Sequence, residues 1–212
     1  MMAIRGVLFD LDGVLVDACE WHYLALNKAL REVAGFVISR IEHDTIFNGL
    51  PTRAKLALLL KQGRIRERVV EQIWDLKQQY TTESITQNST PDMAIISLHQ
   101  RLHERGIKIA CVTNSIGESA KLMLSMTQQL RYFDLLITNE MVKHPKPHAE
   151  GYIRAMVRLA LMPDECLIVE DSDKGMQAAM AAGAHIQRVC NSRETAEAVW
   201  TFCCANACGG DR

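Results

Sequence analysis

Ile4-Arg5-Gly6-Val7-Leu8-Phe9-Asp10 is a short, nearly continuous apolar run that stops at an aspartate, with Leu11-Asp12-Gly13 directly after it. Apolar residues at consecutive rather than alternate positions mark a strand buried on both faces, as in a parallel sheet covered by helices. The run therefore predicts an α/β protein whose first strand ends on a carboxylate, with Gly13 giving the backbone room to bend.

Downstream of this strand the pattern turns helical. Trp21, Leu24, Leu26, Ala29, Leu30 and Val33 recur at three- and four-residue steps and predict a helix from about Asp17 to Val33, stopped by Gly35. Further helices are expected over Thr52–Lys61, broken at Gly63, and from about Arg64 to Ser84. Three helices in succession without a strand read as an inserted helical lobe. The expected division is a core of residues 1–16 and 86–212, with residues 17–85 as the lobe.

After the polar segment Thr86-Gln87-Asn88-Ser89, strands and helices alternate. Thr90 reads as a helix cap with Pro91 in the first turn of a helix running to about Arg105, where Gly106 ends it. A strand over Ile107–Val112 then delivers Thr113 and Asn114. Helices near 117–130, 150–161 and 175–182 alternate with strands at 135–137, 167–169 and 186–189, and the tail beyond Trp200 is expected to fray. Such alternation predicts a Rossmann-like three-layer fold, in which ligands bind outside the carboxyl ends of the strands.

The bulk properties exclude several functions. A formal charge of −1 over 212 residues, without long blocks of one sign, argues against a nucleic-acid or membrane-surface binder and favours a small-molecule ligand. The N-terminal apolar run is too short for a signal peptide or membrane span, so a cytoplasmic protein is expected, as a monomer or weak dimer. Seven scattered cysteines do not suit a disulfide framework. Cys111 and Cys166 lie in or beside apolar runs and read as packed thiols. Cys203, Cys204 and Cys208 lack a fourth ligand group at zinc-finger spacing.

The strand ends present Asp10 and Asp12, then Thr113 and Asn114, then Glu170 and Asp171, and Lys146 comes from a loop between Pro145 and Pro147. Each pair alone is common on protein surfaces; their joint appearance at successive strand ends suits phosphoryl transfer. The Asp10 carboxylate can attack phosphorus. An anion attacking an anion needs charge compensation, which Lys146 and a Mg²⁺ ion held by Asp10 and Asp171 would supply. Thr113 can donate to the phosphoryl oxygens, and Asp12 can protonate the leaving group and then deprotonate water.

Leu8-Phe9-Asp10-Leu11-Asp12-Gly13-Val14 resembles the first motif of the haloacid dehalogenase-like hydrolases (HAD superfamily), in the subfamily IA branch of phosphoglycolate phosphatases and β-phosphoglucomutases. Val112-Thr113-Asn114-Ser115 is similar to the second motif and Lys146-Pro147 to the third. Val169-Glu170-Asp171-Ser172, with Gly175, Ala178, Ala179, Ala182 and Gly183, is similar to the fourth. Ala149 stands where the family often has a second proline. The resemblance implies a nucleophile at Asp10, an acid/base at Asp12, phosphate binding by Thr113 and Lys146, and Mg²⁺ on Asp10, Asp171, the Asp12 carbonyl and Glu170. It also implies that the lobe is a cap closing over the substrate.

Specificity is expected from the cap: Glu20, Trp21 and His22 on its first helix, Asn48-Gly49-Leu50-Pro51-Thr52-Arg53, and Lys77 on its third helix. His22 matches a histidine of β-phosphoglucomutases. Arg53 and Lys77 also read as solvated helix positions. Thr52 occupies the place of a mutase arginine and Gly49-Leu50-Pro51 looks more like the phosphatases. The expected function is a Mg²⁺-dependent phosphatase acting on a small phosphorylated metabolite such as a sugar phosphate. A sugar-phosphate mutase is the alternative, and a non-catalytic binding protein on the same fold is the alternative of another class.

Overall fold

The computed structural model describes residues 3–206. Strands β1 (Gly6–Phe9), β2 (Lys108–Val112), β3 (Leu135–Ile137), β4 (Cys166–Glu170) and β5 (His185–Arg188) form a parallel sheet in the order β3-β2-β1-β4-β5. Successive residues of β1 face opposite sides, as a strand's two-residue period requires. Val7 and Phe9 enter one core with Ile109, Cys111, Leu167 and Val169, while Leu8 enters another with Ala110, Val112, Cys166 and Ile168.

Helices α5 (Met93–Glu104), α6 (Gly117–Met126) and α9 (Ser192–Ala205) cover the first core, and α7 (Glu150–Leu159) and α8 (Asp173–Ala182) the second. Both faces of β1 are thus dry, which explains its unbroken apolar run. Cys111 and Cys166 are packed thiols, and burial pushes Cys166 up to about 12.

Between β1 and β2 lie α1 (Cys19–Ala34), α2 (Arg40–Glu42) continuing as a π-turn (His43–Phe47), α3 (Thr52–Lys61) and α4 (Val70–Asn88). Leu26, Ala29, Leu30, Ile38, Phe47, Leu56, Leu59, Ile65 and Ile73 form a third, separate apolar cluster. Burying each such leucine or isoleucine contributes about 1.5–3 kcal/mol, so this helical segment has a core of its own. Among the described residues no helix is long and apolar enough to cross a membrane.

Several expectations are corrected. Helix α4 does not stop near Ser84 but runs through the polar residues Thr86 to Asn88, because Ile85 is buried in the first core and carries the helix onto the sheet. Thr90 is not a cap; Asp92 is, its Oδ1 accepting from the backbone N–H groups of Ala94 and Ile95. The C-terminal tail holds its helical form to Ala205, with Val199 and Cys203 buried and Arg101 and Arg105 lying over Trp200, while the rest of the tail expected to fray, 207–212, lies outside the described residues. Cys203 is buried and Cys204 partly so, while Cys208 lies outside the described residues.

Candidate active site

The sheet's chain order reverses around β1, so the carboxyl ends of β1, β2 and β4 flank one crevice. Asp10 extends the ladder by one bond, from its N–H to the Val169 carbonyl at 3.0 Å, and Thr113 does the same towards Ile137 at 2.9 Å. The cavity above them is lined by Asp10, Asp12, Lys146 and Asp171 from the rim, and by His22, Gly49, Lys55 and Lys77 from the helical segment.

At its floor, the Lys146 ammonium lies 2.6 Å from both Asp10 Oδ1 and Glu170 Oε1. Burial works against its charge, but these two carboxylates outweigh it and hold the lysine above its ordinary value. Tyr152 on α7, fully buried, donates to the same Glu170 oxygen at 2.6 Å. Asp10, Glu170 and Asp171 each offer an oxygen, all within 4.8 Å of one another.

Burial first, then the crowding of negative charge, raises Asp10 well above the usual carboxylate range and Asp171 to about 7. Glu170 Oε2 and Asp171 Oδ1 are buried without a hydrogen-bond partner among the described residues. Three oxygen donors, orphaned atoms and uncompensated charge fit a hard divalent cation such as Mg²⁺, and the absence of sulfur and imidazole from the set disfavours zinc. Gly13 and Gly175 make space for this cluster: a Cβ on Gly13 would overlap the Asp171 carboxylate.

Asp12 is held by two groups, His22 Nε2 at 3.0 Å from Oδ1 and Ser115 Oγ at 2.8 Å from Oδ2. His22 Nδ1 is 3.2 Å from Lys77 Nζ. Asp12 is held ionised and can only accept, so Nε2 carries the ring proton and Nδ1 of the neutral ring accepts from Lys77. Burial, assisted by Lys77, lowers His22 and keeps the ring neutral against the pull of Asp12. Burial opposes ionisation of Asp12, yet the bonds from His22 and Ser115 and the charge of Lys77 hold it below its ordinary value.

Other expected residues are placed differently. Glu20 pairs with Arg40, and Arg53 pairs with Glu71 and stacks over Trp74; all four carboxylate and guanidinium partners are exposed, and neither Glu20 nor Arg53 lines the cavity. Trp21 packs against the first core. Lys77 is buried rather than solvated.

Asn114 lines the cavity, but its amide donates to the Gly49 and Lys146 carbonyls and accepts from the Lys146 N–H, so it holds loops. Thr113 is buried beneath that lining, and its Oγ1 accepts from the Ser115 N–H at 2.9 Å. Sequence reasoning missed the roles of Ser115, Tyr152 and Lys55. For the lysines a signal existed: Ile73, Lys77, Thr81 and Ile85 form one buried four-residue stripe, and Lys55 shares a helix face with Leu56 and Leu59.

Residues 7–189 match the family model described as haloacid dehalogenase-like hydrolase. The chain is 30% identical over 199 residues to a phosphoglycolate phosphatase of Aquifex aeolicus, spanning 94% of this chain and 86% of that protein. It is 28% identical to the fructose-1-phosphate phosphatase YqaB of Escherichia coli, across 84% of this chain and 92% of that one. Its fold is similar to that of a β-phosphoglucomutase from Clostridium difficile, with a TM-score of 0.78 at 22% identity over 93% and 99% of the two chains.

Proposed function

The chain belongs to the haloacid dehalogenase-like hydrolases, as a phosphatase of that family, and from this premise we propose that it hydrolyses a small phosphomonoester through an aspartyl-phosphate on Asp10. The observation that carries the reading is the ion cluster of Asp10, Lys146, Glu170 and Asp171, drawn from chain-distant segments to one rim. Residues 17–85 act as the cap, and the substrate is a sugar phosphate or a similarly small ester, in keeping with the relatives.

In this mechanism Asp10, Asp171 and Glu170, with the Asp12 carbonyl, would hold Mg²⁺, which would offset the negative charge of nucleophile and phosphoryl group. Lys146 orients Asp10 through Oδ1 and adds fixed positive charge. Asp10 forms a bond to phosphorus while the bond to the leaving oxygen breaks, and Asp12 gives that oxygen a proton. Asp12 is ionised at rest, and an arriving phosphate dianion raises its proton affinity. Asp12 then takes a proton from water, whose hydroxyl displaces Asp10 and releases phosphate. Thr113 retains a hydroxyl hydrogen for a phosphoryl oxygen, and the cap residues keep bulk water out.

The test is hydrolysis of p-nitrophenyl phosphate or acetyl phosphate with and without Mg²⁺, compared with Asp10→Asn. Mg²⁺-independent turnover, or turnover retained by the variant, overturns the reading. One observation favours a mutase as the second reading: His22, which matches a histidine of β-phosphoglucomutases, sits on Asp12 and is backed by Lys77. Isomerisation of a sugar phosphate that depends on glucose 1,6-bisphosphate would select it.

A further inference from the structure

The cap side of the cavity carries more ammonium charge than the phosphoryl chemistry uses. Lys146 is matched by Asp10 and Glu170, and Lys77 is tied to His22. Lys55 has no such role. It is 6% exposed and lines the cavity from the buried face of α3, yet no hydrogen bond or ion pair engages its ammonium among the described residues. The cavity's carboxylates are committed elsewhere: Asp10 to Lys146, both oxygens of Asp12 to His22 and Ser115, and Asp171 to the metal-ligand cluster.

Burying an ammonium without a counterion costs several kcal/mol. Burial pushes Lys55 down to about 8, and burial with the charge of Lys55 pushes Lys77 down to about 7. An anion entering the cavity that both line would offset that penalty.

Their position says which part of the substrate they face. Lys77 Nζ lies 3.2 Å from His22 Nδ1, whose Nε2 bonds Asp12, the acid for the leaving group, and Lys55 lines the same cavity. Both lysines come from the cap, on the same side as His22. They therefore stand beside the leaving group and not the transferred phosphoryl group, which Lys146 serves from the rim.

We propose that Lys55, with Lys77 beside it, binds a second anionic group on the leaving portion of the substrate, a carboxylate or a further phosphate. This rests on the phosphatase reading above and narrows it to esters with a short anionic tail. A neutral polyol phosphate would leave Lys55 unmatched.

The test compares kcat/KM for four small esters: 2-phosphoglycolate, 1,3-propanediol bisphosphate, ethyl phosphate and phosphoethanolamine. At least one anionic-tailed ester should lead, with the cationic tail last, and the first two arms separate a carboxylate tail from a phosphate tail. Lys55→Met should lower kcat/KM for the leading ester about 10- to 100-fold, the worth of a hydrogen bond to a charged group. It should change ethyl phosphate less than about threefold, and Lys55→Arg should restore part of the preference for the anionic tail.

Equal losses on anionic and neutral esters would assign Lys55 to the transferred phosphoryl group and overturn the proposal, as would a wild-type enzyme that prefers the neutral tail. Either result leaves the phosphatase reading standing, whereas no turnover of any ester, p-nitrophenyl phosphate included, rejects both. Lys55→Met should also melt at or above the wild-type temperature, because it removes an unmatched buried charge. A marked drop in Tm would make Lys55 a structural residue and likewise overturn the proposal.

Discussion

Gly175 passes so close to Glu170 that a Cβ on the glycine would overlap the glutamate carboxylate. Glu170 has no room to retreat, being fully buried and fastened by Lys146 and Tyr152.

Gly175→Ala is therefore expected to destabilise the fold by about 1–3 kcal/mol, the usual cost of overpacking a core. It should also lower Mg²⁺-dependent hydrolysis at least about tenfold through misplacement of a ligand. Urea unfolding and steady-state kinetics read the two effects, and a wild-type midpoint would show that the carboxylate moves aside freely.

Asp10→Asn should reduce turnover by about 10³-fold or more, since it removes the attacking oxyanion. Burial already disfavours charge at this position, so the neutral amide should leave Tm unchanged or higher. Acid-quenched enzyme incubated with a ³²P-labelled substrate should carry label in the wild type and none in the variant.

His22→Asn removes the ring that orients Asp12. An alkyl phosphate, whose alkoxide must be protonated as it leaves, should lose about 10²-fold in kcat. p-Nitrophenyl phosphate, whose phenolate departs unassisted, should lose less than about tenfold. Equal losses on both esters would detach His22 from the acid/base step.

Tyr152→Phe deletes one of the two donors that fix Glu170 Oε1 while keeping the packed ring. Metal affinity is expected to weaken by about 10-fold, in the range seen when a group supporting a metal ligand is removed. Titration calorimetry with Mn²⁺ or Mg²⁺ measures this without turnover, and an unchanged isotherm would reduce the hydroxyl to packing.

His99 supplies a pH dependence remote from the chemistry. Its ring is fully buried among Phe9, Tyr132 and Phe133 with neither nitrogen bonded, and burial, then His103, lowers it to about 3. The unfolded chain binds this proton below about 6.5, so the folded state loses stability as pH falls from there towards 3. His99→Phe should flatten the fall in Tm between pH 6.5 and 4.5. A variant with the wild-type slope would place the acid sensitivity elsewhere.

Much of the frame was legible because strand periodicity and glycine stops are local signals. The run Gly6–Phe9 could only be a doubly covered strand, and Asp10, Asp12, Lys146, Glu170 and Asp171 all reach one rim because each ends or follows a strand. The helical segment between β1 and β2 was less legible. Whether Lys55 or Arg53 turns inward depends on how α3 rotates against α4, a tertiary outcome that a two-residue difference in position does not reveal. Asn114 looked like a ligand group for the same reason: nothing local discloses that its amide is already shared by two loops. The π-turn at His43–Phe47 carried no periodic signal at all.

That shared amide has a kinetic meaning. Asn114 grips the Gly49 carbonyl at 2.7 Å while framing the backbone of Lys146, and Lys174 grips the neighbouring Asn48 carbonyl at 2.7 Å. The helical lobe is thereby latched to the rim through the same side chain that frames the Lys146 backbone. Under the proposed function, any parting of lobe from rim must break the Asn114 bond to Gly49, so access to the cavity and the framing of the Lys146 loop draw on one amide.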